Sequence, residues 1–473
     1  MSTISLLWHD YETWGVDPRR DRVAQFAAIR TDETLQEIDD PVNIYCKPSD
    51  DYLPHPEAAL ITGITPQETL KKGMPESDFF RYINDLFMQP GTCGAGYNNI
   101  RFDDEITRYG FYRNFIDPYA REWQNGNSRW DIIDLIRMTY ALRPEDIVWP
   151  VDDNGKVSFR LELLTQANGI SHQGAHDALS DVRATIDMAK LIKEKKPKLY
   201  NYYFQLRNKL VAGRMLNLRE QKTVLHISGM YPVGKGCMSP VVPLMQHPVN
   251  SNEIIVYDLR KSPQNMLAMS SEEMAENLYS KTSELPEGTQ KIGLKGVHLN
   301  KCPALAPVNT LTNEQAAKWQ IDWQQVEQHR QQLLGDSTLI NRLTELYQPQ
   351  REYPQSEAES ALYNGFISKQ DRALCNLLLK KKPEQLVSWE PAFASKRLQT
   401  IYPRYLGRNW PQLLDEQQLR KWQAFCEARL IYGEFDCPLT LMEYQEVLES
   451  LANQELTEKQ QDILKALVQW VNR

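Results

Sequence analysis

Residues 4–15 read ISLLWHDYETWG, and the interpretation of the whole chain starts from this stretch. Its first half, Ile4 to Trp8, is an apolar run typical of a buried β-strand. Side chains two residues apart on a strand share a face, so we expect Asp10 and Glu12 to point the same way, roughly 7 Å apart. Two ionised carboxylates near a protein interior repel each other unless one takes up a proton or a cation lies between them. The stretch alone leaves two interpretations open: a strand end whose acids reach water, or a cation site completed by acids from elsewhere.

The composition is that of a folded protein with more than one domain. The 473 residues are 41% hydrophobic and 10% aromatic, which is ample for packed cores, and the length predicts two or three domains. The net charge is −8, so any contact with nucleic acid must depend on a local basic patch. The sequence has seven scattered cysteines. Its N-terminus lacks a basic flank and a long apolar core, and no stretch is long enough for a membrane span. We therefore expect a cytoplasmic protein that does not bind membranes.

Strand and helix signals alternate over roughly the first 195 residues. After the opening strand, RVAQFAAIRTD and VNIYCKP predict antiparallel neighbours, and TCGAGYN predicts a further strand. In SFRLELLTQANGI, Ser158 is the expected N-cap and Gly169 the expected stop. The other predicted helices are TPQETLKKG, PESDFFRYINDLFMQP, a segment opening near Asp103, RWDIIDLIRMTYALRP and HDALSDVRATIDMAKLIKEKKP. This pattern predicts a mixed α/β sheet flanked by helices.

Two further regions follow in the sequence. From about residue 200 to 345, short apolar runs broken by Gly, Pro and Asn predict a small β-rich unit with helical additions. Residues 348–360, QPQREYPQSEAES, are polar with two prolines and are typical of a linker. Beyond them the pattern is that of amphipathic helices, and we find no internal repeat.

A second group of acids lies where a predicted strand leads into a helix. GYNNIRFDDEITR, residues 96–108, places Asp103, Asp104 and Glu105 in a first helical turn. Acids there are favoured by the helix dipole alone, so the triplet has an ordinary structural explanation. Spacing does not indicate which of the three would take part in chemistry.

A third acid lies on a late helix, within AHDALSDVRATIDMAK, residues 175–190. Asp181 borders the apolar stripe of that helix and therefore needs a partner, for which a metal ion is one candidate. His176 lies just upstream, near the helix start, where it could lean over whatever Asp181 holds. The stripe itself is formed by Ala178, Val182, Thr185, Ile186 and Ala189.

Taken in order, these motifs resemble those of the DEDDh exonucleases. The pattern is Asp-x-Glu on a first strand, Phe-Asp after a strand, and His-x-x-x-x-Asp on a late helix. The matching residues are Asp10, Glu12, Asp103, His176 and Asp181. Further segments along the chain resemble the bacterial exonuclease I family: HDYETWG, ITGITPQE, GYNNIRFDDE, NSRWDIIDL, SFRLELLTQANGI, HDALSDV and LYNGF.

The resemblance implies a fold and an activity. It implies a ribonuclease H-like exonuclease domain (1–195), an SH3-like β-rich domain with helical additions (196–348) and an all-helical C-terminal domain (349–473). It implies removal of nucleotides from the 3′ end of single-stranded DNA as 5′-monophosphates, in DNA repair and recombination. The implied partners are single-stranded DNA and the acidic tail of single-strand DNA-binding protein, and we expect a monomer.

The same resemblance, together with the chemistry of phosphodiester hydrolysis, implies roles for the five motif residues. Two divalent cations roughly 4 Å apart activate water and relieve charge on the leaving oxygen, and a nest of carboxylates suits Mg²⁺, with Mn²⁺ able to substitute. Asp10 would bridge the metals, Glu12 and Asp181 would be further ligands, and Asp103 would hold the second metal directly or through water. His176 would take the proton from the attacking water.

Candidate DNA contacts are less sharply defined. Arg160 matches a substrate-contacting arginine of the family, and Glu12 is expected to contact substrate as well. RYGFYRNFIDPYAREWQ offers Arg108, Tyr112, Arg113 and Trp123 for phosphates and bases. The segment from Lys193 to Lys222 has nine basic and two acidic residues interleaved with aromatics, and is either a strand-binding surface or a solvated junction. Those aromatics are Tyr200, Tyr202, Tyr203 and Phe204.

Two alternatives remain at this point. One is a related DEDDh ribonuclease or proofreading exonuclease, although such chains typically stop soon after the His-x-x-x-x-Asp helix. The other is a single-strand-binding module that kept the fold and lost its chemistry, which the presence of all five motif residues argues against.

Overall fold

The computed structural model describes residues 4–172, 177–286, 288–348 and 356–472. Two predicted features, His176 and residues 349–355 of the linker, lie outside the described residues. Within the described ranges, none of the helices combines the length and the hydropathy that crossing a bilayer requires.

Ten strands are described. They are β1 Ser5–Thr13, β2 Val23–Thr31, β3 Val42–Tyr45, β4 Thr92–Gly96, β5 Ser128–Asp131, β6 Val224–Ile227, β7 Met238–Gln246, β8 Glu253–Asp258, β9 Leu294–His298 and β10 Ala304–Pro307.

Twenty α-helices are described. They are α1 Pro56–Thr62, α2 Pro66–Lys72, α3 Glu76–Phe87, α4 Asp103–Arg113, α5 Ile133–Leu142, α6 Leu161–Ala167, α7 Ala178–Lys195, α8 Pro197–Gln205, α9 Lys209–Met215, α10 Gln264–Leu267, α11 Ser271–Tyr279, α12 Asn313–Lys318, α13 Trp323–Gly335, α14 Leu339–Leu346, α15 Lys369–Leu378, α16 Pro383–Val387, α17 Lys396–Asn409, α18 Glu416–Tyr432, α19 Leu441–Ala452 and α20 Glu458–Val471.

The chain divides into two compact units. The first comprises residues 1–128, 172–186 and 353–473, and the second comprises residues 129–171 and 187–352. The first unit therefore combines the N-terminal strands with the C-terminal helices. The domain limits expected near residues 195 and 348 stay a prediction.

The sheet of the first unit carries β3, β2, β1 and β4 in that order. β1 is antiparallel to β2, and β2 is antiparallel to β3, as predicted from the sequence. β4 runs parallel to β1, so the sheet is mixed. Asp10 lies opposite Ala27 and Glu12 opposite Gln25, and the ladder shifts its register directly after Glu12.

The sheet of the second unit is a separate five-stranded antiparallel sheet with the order β10-β6-β7-β8-β9. Its strands correspond to the short apolar runs between residues 200 and 345. The β-rich unit with helical additions is confirmed.

Two predicted helix boundaries differ from the structure. The helix expected throughout RWDIIDLIRMTYALRP begins only at Ile133, because β5 precedes it and the Asp131 carboxylate accepts the Ile133 N–H at 3.0 Å. The N-cap of α6 is Arg160 rather than Ser158. Ser158 lies two residues earlier, where its N–H donates to the Pro150 carbonyl at 2.9 Å in a hairpin-like approach.

Apolar cores in the first unit join segments far apart in sequence. Tyr112 and Phe115 of the α4 region pack in one core with Tyr405 of α17. Trp14, next to β1, packs in another core with Tyr444 of α19. The helices near the C-terminus thus complete cores begun in the first 120 residues.

A buried ion-pair network accompanies these cores. The Glu359 carboxylate accepts hydrogen bonds from Arg22 and Arg408, each at 2.7 Å, and Arg408 also donates to Asp51 at 2.8 Å. All four side chains are at most 7% exposed. Burial by itself would raise the pKa of Asp51 and Glu359, but the charges of Arg408 and Arg22 outweigh burial and lower both. Four buried charges neutralise one another here, and none can be removed without leaving another uncompensated.

Glu359→Gln is expected to lower the free energy of unfolding by about 3–5 kcal/mol, because it removes one of the two carboxylates that Arg22 and Arg408 share and leaves buried positive charge in excess. The matched control is Glu416→Gln, since Glu416 forms an exposed pair with Arg420, and its effect should stay below about 0.5 kcal/mol. Urea unfolding at pH 7 measures both. Equal effects of the two variants would contradict a structural role for the network.

Candidate active site

Asp10 and Glu12 lie on one face of β1, as their spacing predicts. Their neighbour Tyr11 faces the opposite side, where it packs in the apolar core with Phe26 at a ring separation of 4.8 Å. Glu12 is buried and Asp10 is partly buried. The two acids are therefore held at a sheet surface that gives them little access to water.

Asp181 joins these two acids from α7. One carboxylate oxygen from each of Asp10, Glu12 and Asp181 can be chosen such that all three lie within 4.8 Å of one another. The inward stripe predicted for α7 is buried as expected, and Asp181 borders it with a side chain 20% exposed. Asp177 precedes the helix and caps it, since its carboxylate accepts the Ser180 N–H at 3.2 Å.

Asp103 is the first residue of α4 and is tied to the same strand. Its carboxylate accepts the backbone N–H of Tyr11 at 3.2 Å. The Thr107 hydroxyl donates to the Asp103 carbonyl at 2.8 Å and lies 2.9 Å from the Tyr11 hydroxyl. The first turn of α4 is thus fixed against β1, beside Asp10 and Glu12.

The structure distinguishes the three acids that spacing left equivalent. Asp104 is fully buried and pairs with Arg121 at 2.6 Å. Glu105 pairs with Arg108 at 2.6 Å and accepts a hydrogen bond from the Tyr363 hydroxyl. Of the triplet, Asp103 is the acid whose charge acts on Asp10 and Glu12.

Burial, followed by the crowding of carboxylates, shifts the pKa of both strand acids upward. Burial is the main cause of the raised pKa of Asp10, followed by the charges of Asp103, Glu12 and Asp181. Burial, followed by the charges of Asp181 and Asp103, raises the pKa of Glu12 to about 9. Without a cation, the cluster therefore favours taking up protons over holding its full negative charge.

A second histidine, which sequence reasoning missed, contacts the cluster. His172 Nε2 lies 2.5 Å from Asp181 Oδ1, and the His172 side chain is 7% exposed. The motif spacing singled out His176 and gave no reason to choose a histidine four residues earlier. A signal was available only in the high local density of His and Asp in HQGAHDALSD.

The residues expected to contact DNA differ in their exposure to solvent. Trp123 is 65% exposed and available for stacking. Arg108 is instead buried, with Glu122 accepting from its Nε at 2.7 Å and its Nη2 at 3.0 Å, so the structure favours a supporting role for it. Tyr112 and Arg113 are also buried, with Arg113 paired to Glu76 at 2.9 Å, and neither can contact DNA directly.

In the second unit, Arg160 has a side chain 70% exposed and pairs with Glu162. Of the aromatics in the basic segment, Tyr200 and Tyr203 are buried, and the Tyr203 hydroxyl donates to backbone carbonyls. Stacking on bases, which the sequence left open for this segment, is excluded for these two tyrosines, because both pack in the core beside Trp130.

Comparison with known families assigns each region of the chain. Residues 7–189 match the family model described as Exonuclease, residues 207–349 the Exonuclease I SH3-like domain, and residues 356–473 the Exonuclease I C-terminal domain. The predicted order of an exonuclease domain, an SH3-like domain and a helical C-terminal domain is thereby confirmed.

Curated relatives and solved structures match over nearly the whole chain. Exodeoxyribonuclease I of Escherichia coli K12 is 43% identical over 98% of this chain and 97% of its own, and that of Haemophilus influenzae is 45% identical over 90% of each. The structure of a moderately thermophilic exonuclease I from Methylocaldum szegediense has a TM-score of 0.95 at 45% identity. The E. coli exonuclease I structure with a dA16 oligonucleotide has a TM-score of 0.93 at 42% identity. Each covers 99% of both chains.

The mixed sheet of the first unit lies in the part of the chain that matches the exonuclease class of proteins, from residue 7 in β1 to residue 189 in α7. The chain belongs to the exonuclease I family.

Glu12→Gln is expected to raise the Tm of the EDTA-treated protein at pH 8. The raised pKa of Glu12 means that the folded state binds a proton that the unfolded state does not, so parent stability falls as pH rises from about 4 towards 9. The gain in Tm from Glu12→Gln should therefore be largest at pH 8, about 2–4 °C, and should shrink towards pH 5. Thermal melts at both pH values, with Glu416→Gln as the control, measure this; a gain independent of pH would contradict the electrostatic explanation.

Proposed function

We propose that the chain is an exodeoxyribonuclease that hydrolyses single-stranded DNA from the 3′ end, releases nucleoside 5′-monophosphates and serves DNA repair and recombination. The observation that carries this proposal is the carboxylate cluster of Asp10, Glu12 and Asp181, whose oxygens lie within 4.8 Å of one another in a chain of the exonuclease I family. A single-strand-binding module without chemistry would have no reason to maintain this repulsive arrangement.

The residues present fit divalent cations. Carboxylate oxygens are the ligand atoms that Mg²⁺ prefers. The raised pKa values of Asp10 and Glu12 show that the negative charges of the cluster are not balanced by nearby positive groups. Asp10, Glu12, Asp103 and Asp181 would hold two Mg²⁺ ions, with Mn²⁺ able to substitute. When bound, such cations supply an activated water and charge relief at the leaving 3′ oxygen. A structure of the E. coli relative with single-stranded DNA was solved in a zinc-bound form.

The remaining roles belong to the protein's own groups. His176 would accept the proton of the attacking water, as the family motif implies, because an imidazole titrates near neutral pH. Trp123 would stack on an unpaired base, and Arg160 would contact a phosphate. Arg108 would act indirectly, since its ion pairs with Glu105 and Glu122 hold the surface beside α4.

We further propose that the chain acts as a cytoplasmic monomer and binds the acidic tail of a single-strand DNA-binding protein. A solved relative is an SSB/exonuclease I structure in complex with the inhibitor CFAM, which supports the second part of this proposal.

Asp10→Asn and Asp181→Asn should each reduce hydrolysis of single-stranded DNA by about 10³-fold or more, since several kcal/mol of transition-state stabilisation depend on the bound cations. Asp187→Asn is the matched control, because Asp187 lies on the same helix with a side chain 46% exposed, and it should retain parent activity. The measurement is stepwise shortening of 5′-labelled single-stranded DNA with Mg²⁺. An active Asp10→Asn protein would rule out the proposed metal ligands.

His176→Ala should lower kcat by about 10² to 10⁴-fold, the typical contribution of a general base, with DNA affinity nearly unchanged. Parent kcat should rise with pH through the range in which an imidazole loses its proton, and the variant should lack this rise. Single-turnover kinetics from pH 5.5 to 8.5, with DNA binding measured in EDTA, provide the test. Parent-like turnover in His176→Ala at neutral pH would exclude this histidine as the base.

The strand and end preference can be tested with matched oligonucleotides. A free single-stranded 3′ end should be shortened stepwise, while a 3′ end closed into a hairpin should resist. Stacking on unpaired bases contributes about 1 to 3 kcal/mol each, whereas a duplex end must melt at roughly 1.4 kcal/mol per base-pair step. Equal degradation of circular single strands would contradict an exonuclease. Preference for RNA of the same sequence would favour the ribonuclease alternative.

A further inference from the structure

The most informative contact outside the family motif is the one between His172 and Asp181. His172 Nε2 and Asp181 Oδ1 are 2.5 Å apart, and the imidazole is largely shielded from solvent with 7% of its side chain exposed. A carboxylate oxygen accepts, so Nε2 carries the hydrogen and donates it. A carboxylate offers several lone-pair sites, and accepting this hydrogen bond leaves others for a cation.

Asp181 is held from two sides. On the backbone side, its N–H donates to the Asp177 carbonyl at 3.0 Å, and the Asp177 carboxylate accepts from Gln25 Nε2 on β2 at 3.1 Å. These bonds fix where the first turn of α7 lies relative to the strand beside β1. At the side-chain end, the Asp181 carboxylate accepts the hydrogen bond from His172 Nε2.

We propose that His172 is a positioning residue, which donates a hydrogen bond to Asp181 and holds its carboxylate towards Asp10 and Glu12 in the orientation that binds the cation. The inference rests on the proposed function, because it assigns a supporting group to a proposed metal ligand. Hydrogen-bonding partners of this kind orient metal-binding carboxylates, and their loss typically weakens metal binding by about 10- to 100-fold.

This role differs from that of a general base. The Nε2–H of His172 is committed to Asp181, so this atom is not available to take a proton from water. Loss of His172 should therefore change how much metal the enzyme needs and leave the pH dependence of the metal-saturated rate unchanged. Loss of His176 should instead change the pH dependence of the metal-saturated rate and leave the metal requirement unchanged.

The test compares His172→Leu, which removes the donor, with His172→Gln, which retains an amide N–H able to donate. His247→Leu makes the same apolar substitution at a histidine in the second unit and is the control. Mn²⁺ binding to the metal-free protein without DNA is measured by electron paramagnetic resonance, folding by thermal melting in EDTA, and DNA hydrolysis as a function of Mg²⁺ concentration.

We expect His172→Leu to weaken Mn²⁺ binding by about 10- to 100-fold and to need correspondingly more Mg²⁺, with the rate recovering at saturation. His172→Gln should lie closer to the parent protein, and His247→Leu should match it. Parent-like Mn²⁺ affinity in His172→Leu, or tighter binding as expected if His172 competed with the cation, would overturn the proposal. A rate that saturating Mg²⁺ does not recover would also overturn it.

Asp181→Asn in the same Mn²⁺ assay separates this inference from the proposed function. If Asp181→Asn loses Mn²⁺ binding and His172→Leu does not, the positioning role alone fails. If Asp181→Asn binds Mn²⁺ like the parent and still degrades DNA, the proposed site fails first. Should His172→Leu not fold, His172→Ala, which also removes the donor, takes its place with the same expected and contradicting outcomes.

Discussion

Repulsion between carboxylates at the end of β1 is the constraint that organises the site. Asp10 and Glu12 share one strand face, and Asp103 and Asp181 approach it from α4 and α7. Burial makes the repulsion stronger, and the raised pKa of Glu12, about 9, reflects it. The protein must therefore hold these acids together with other interactions: the Tyr11 N–H on Asp103, the imidazole of His172 on Asp181, and the packing of Tyr11 into the core behind the strand.

Those holding interactions depend in turn on packing that involves the far end of the chain. Tyr112 and Phe115 anchor the α4 region against α17, and Glu359, Arg22, Arg408 and Asp51 bury four charges in one network. Since α4 carries Asp103, the C-terminal helices support the proposed site without supplying one of its four acids. Each of these charges penalises any packing that leaves it unpaired, because a buried charge without a partner is strongly destabilising.

Local patterns predicted much of this fold and part of the site. The two-residue period of β1 placed Asp10 and Glu12 on one face, and the helical period of α7 placed Asp181 at the edge of its buried stripe. Spacing could not distinguish Asp103 from Asp104 and Glu105, since their different partners come from residues distant in sequence. For the same reason, Arg108, Tyr112 and Tyr203 read as exposed DNA contacts although they are buried. Residue type alone predicts Ser158 as a helix cap. The cap lies elsewhere because the Ser158 N–H pairs with the carbonyl of residue 150, a contact that local spacing does not reveal.

The first unit is discontinuous in sequence, which has a consequence for how the protein is made. The core around Trp14 includes Leu467, and about 340 residues separate the end of the first segment at residue 128 from that leucine. At a synthesis rate of about 5–20 residues per second, roughly 20–70 s pass between translation of the N-terminal strands and translation of the helices that complete their cores. During that interval the apolar surfaces meant for α17, α19 and α20 are uncovered, so the nascent chain is a candidate client for chaperones that bind emerging polypeptides. The same delay keeps the core around Trp14 from being completed before α20 has been translated.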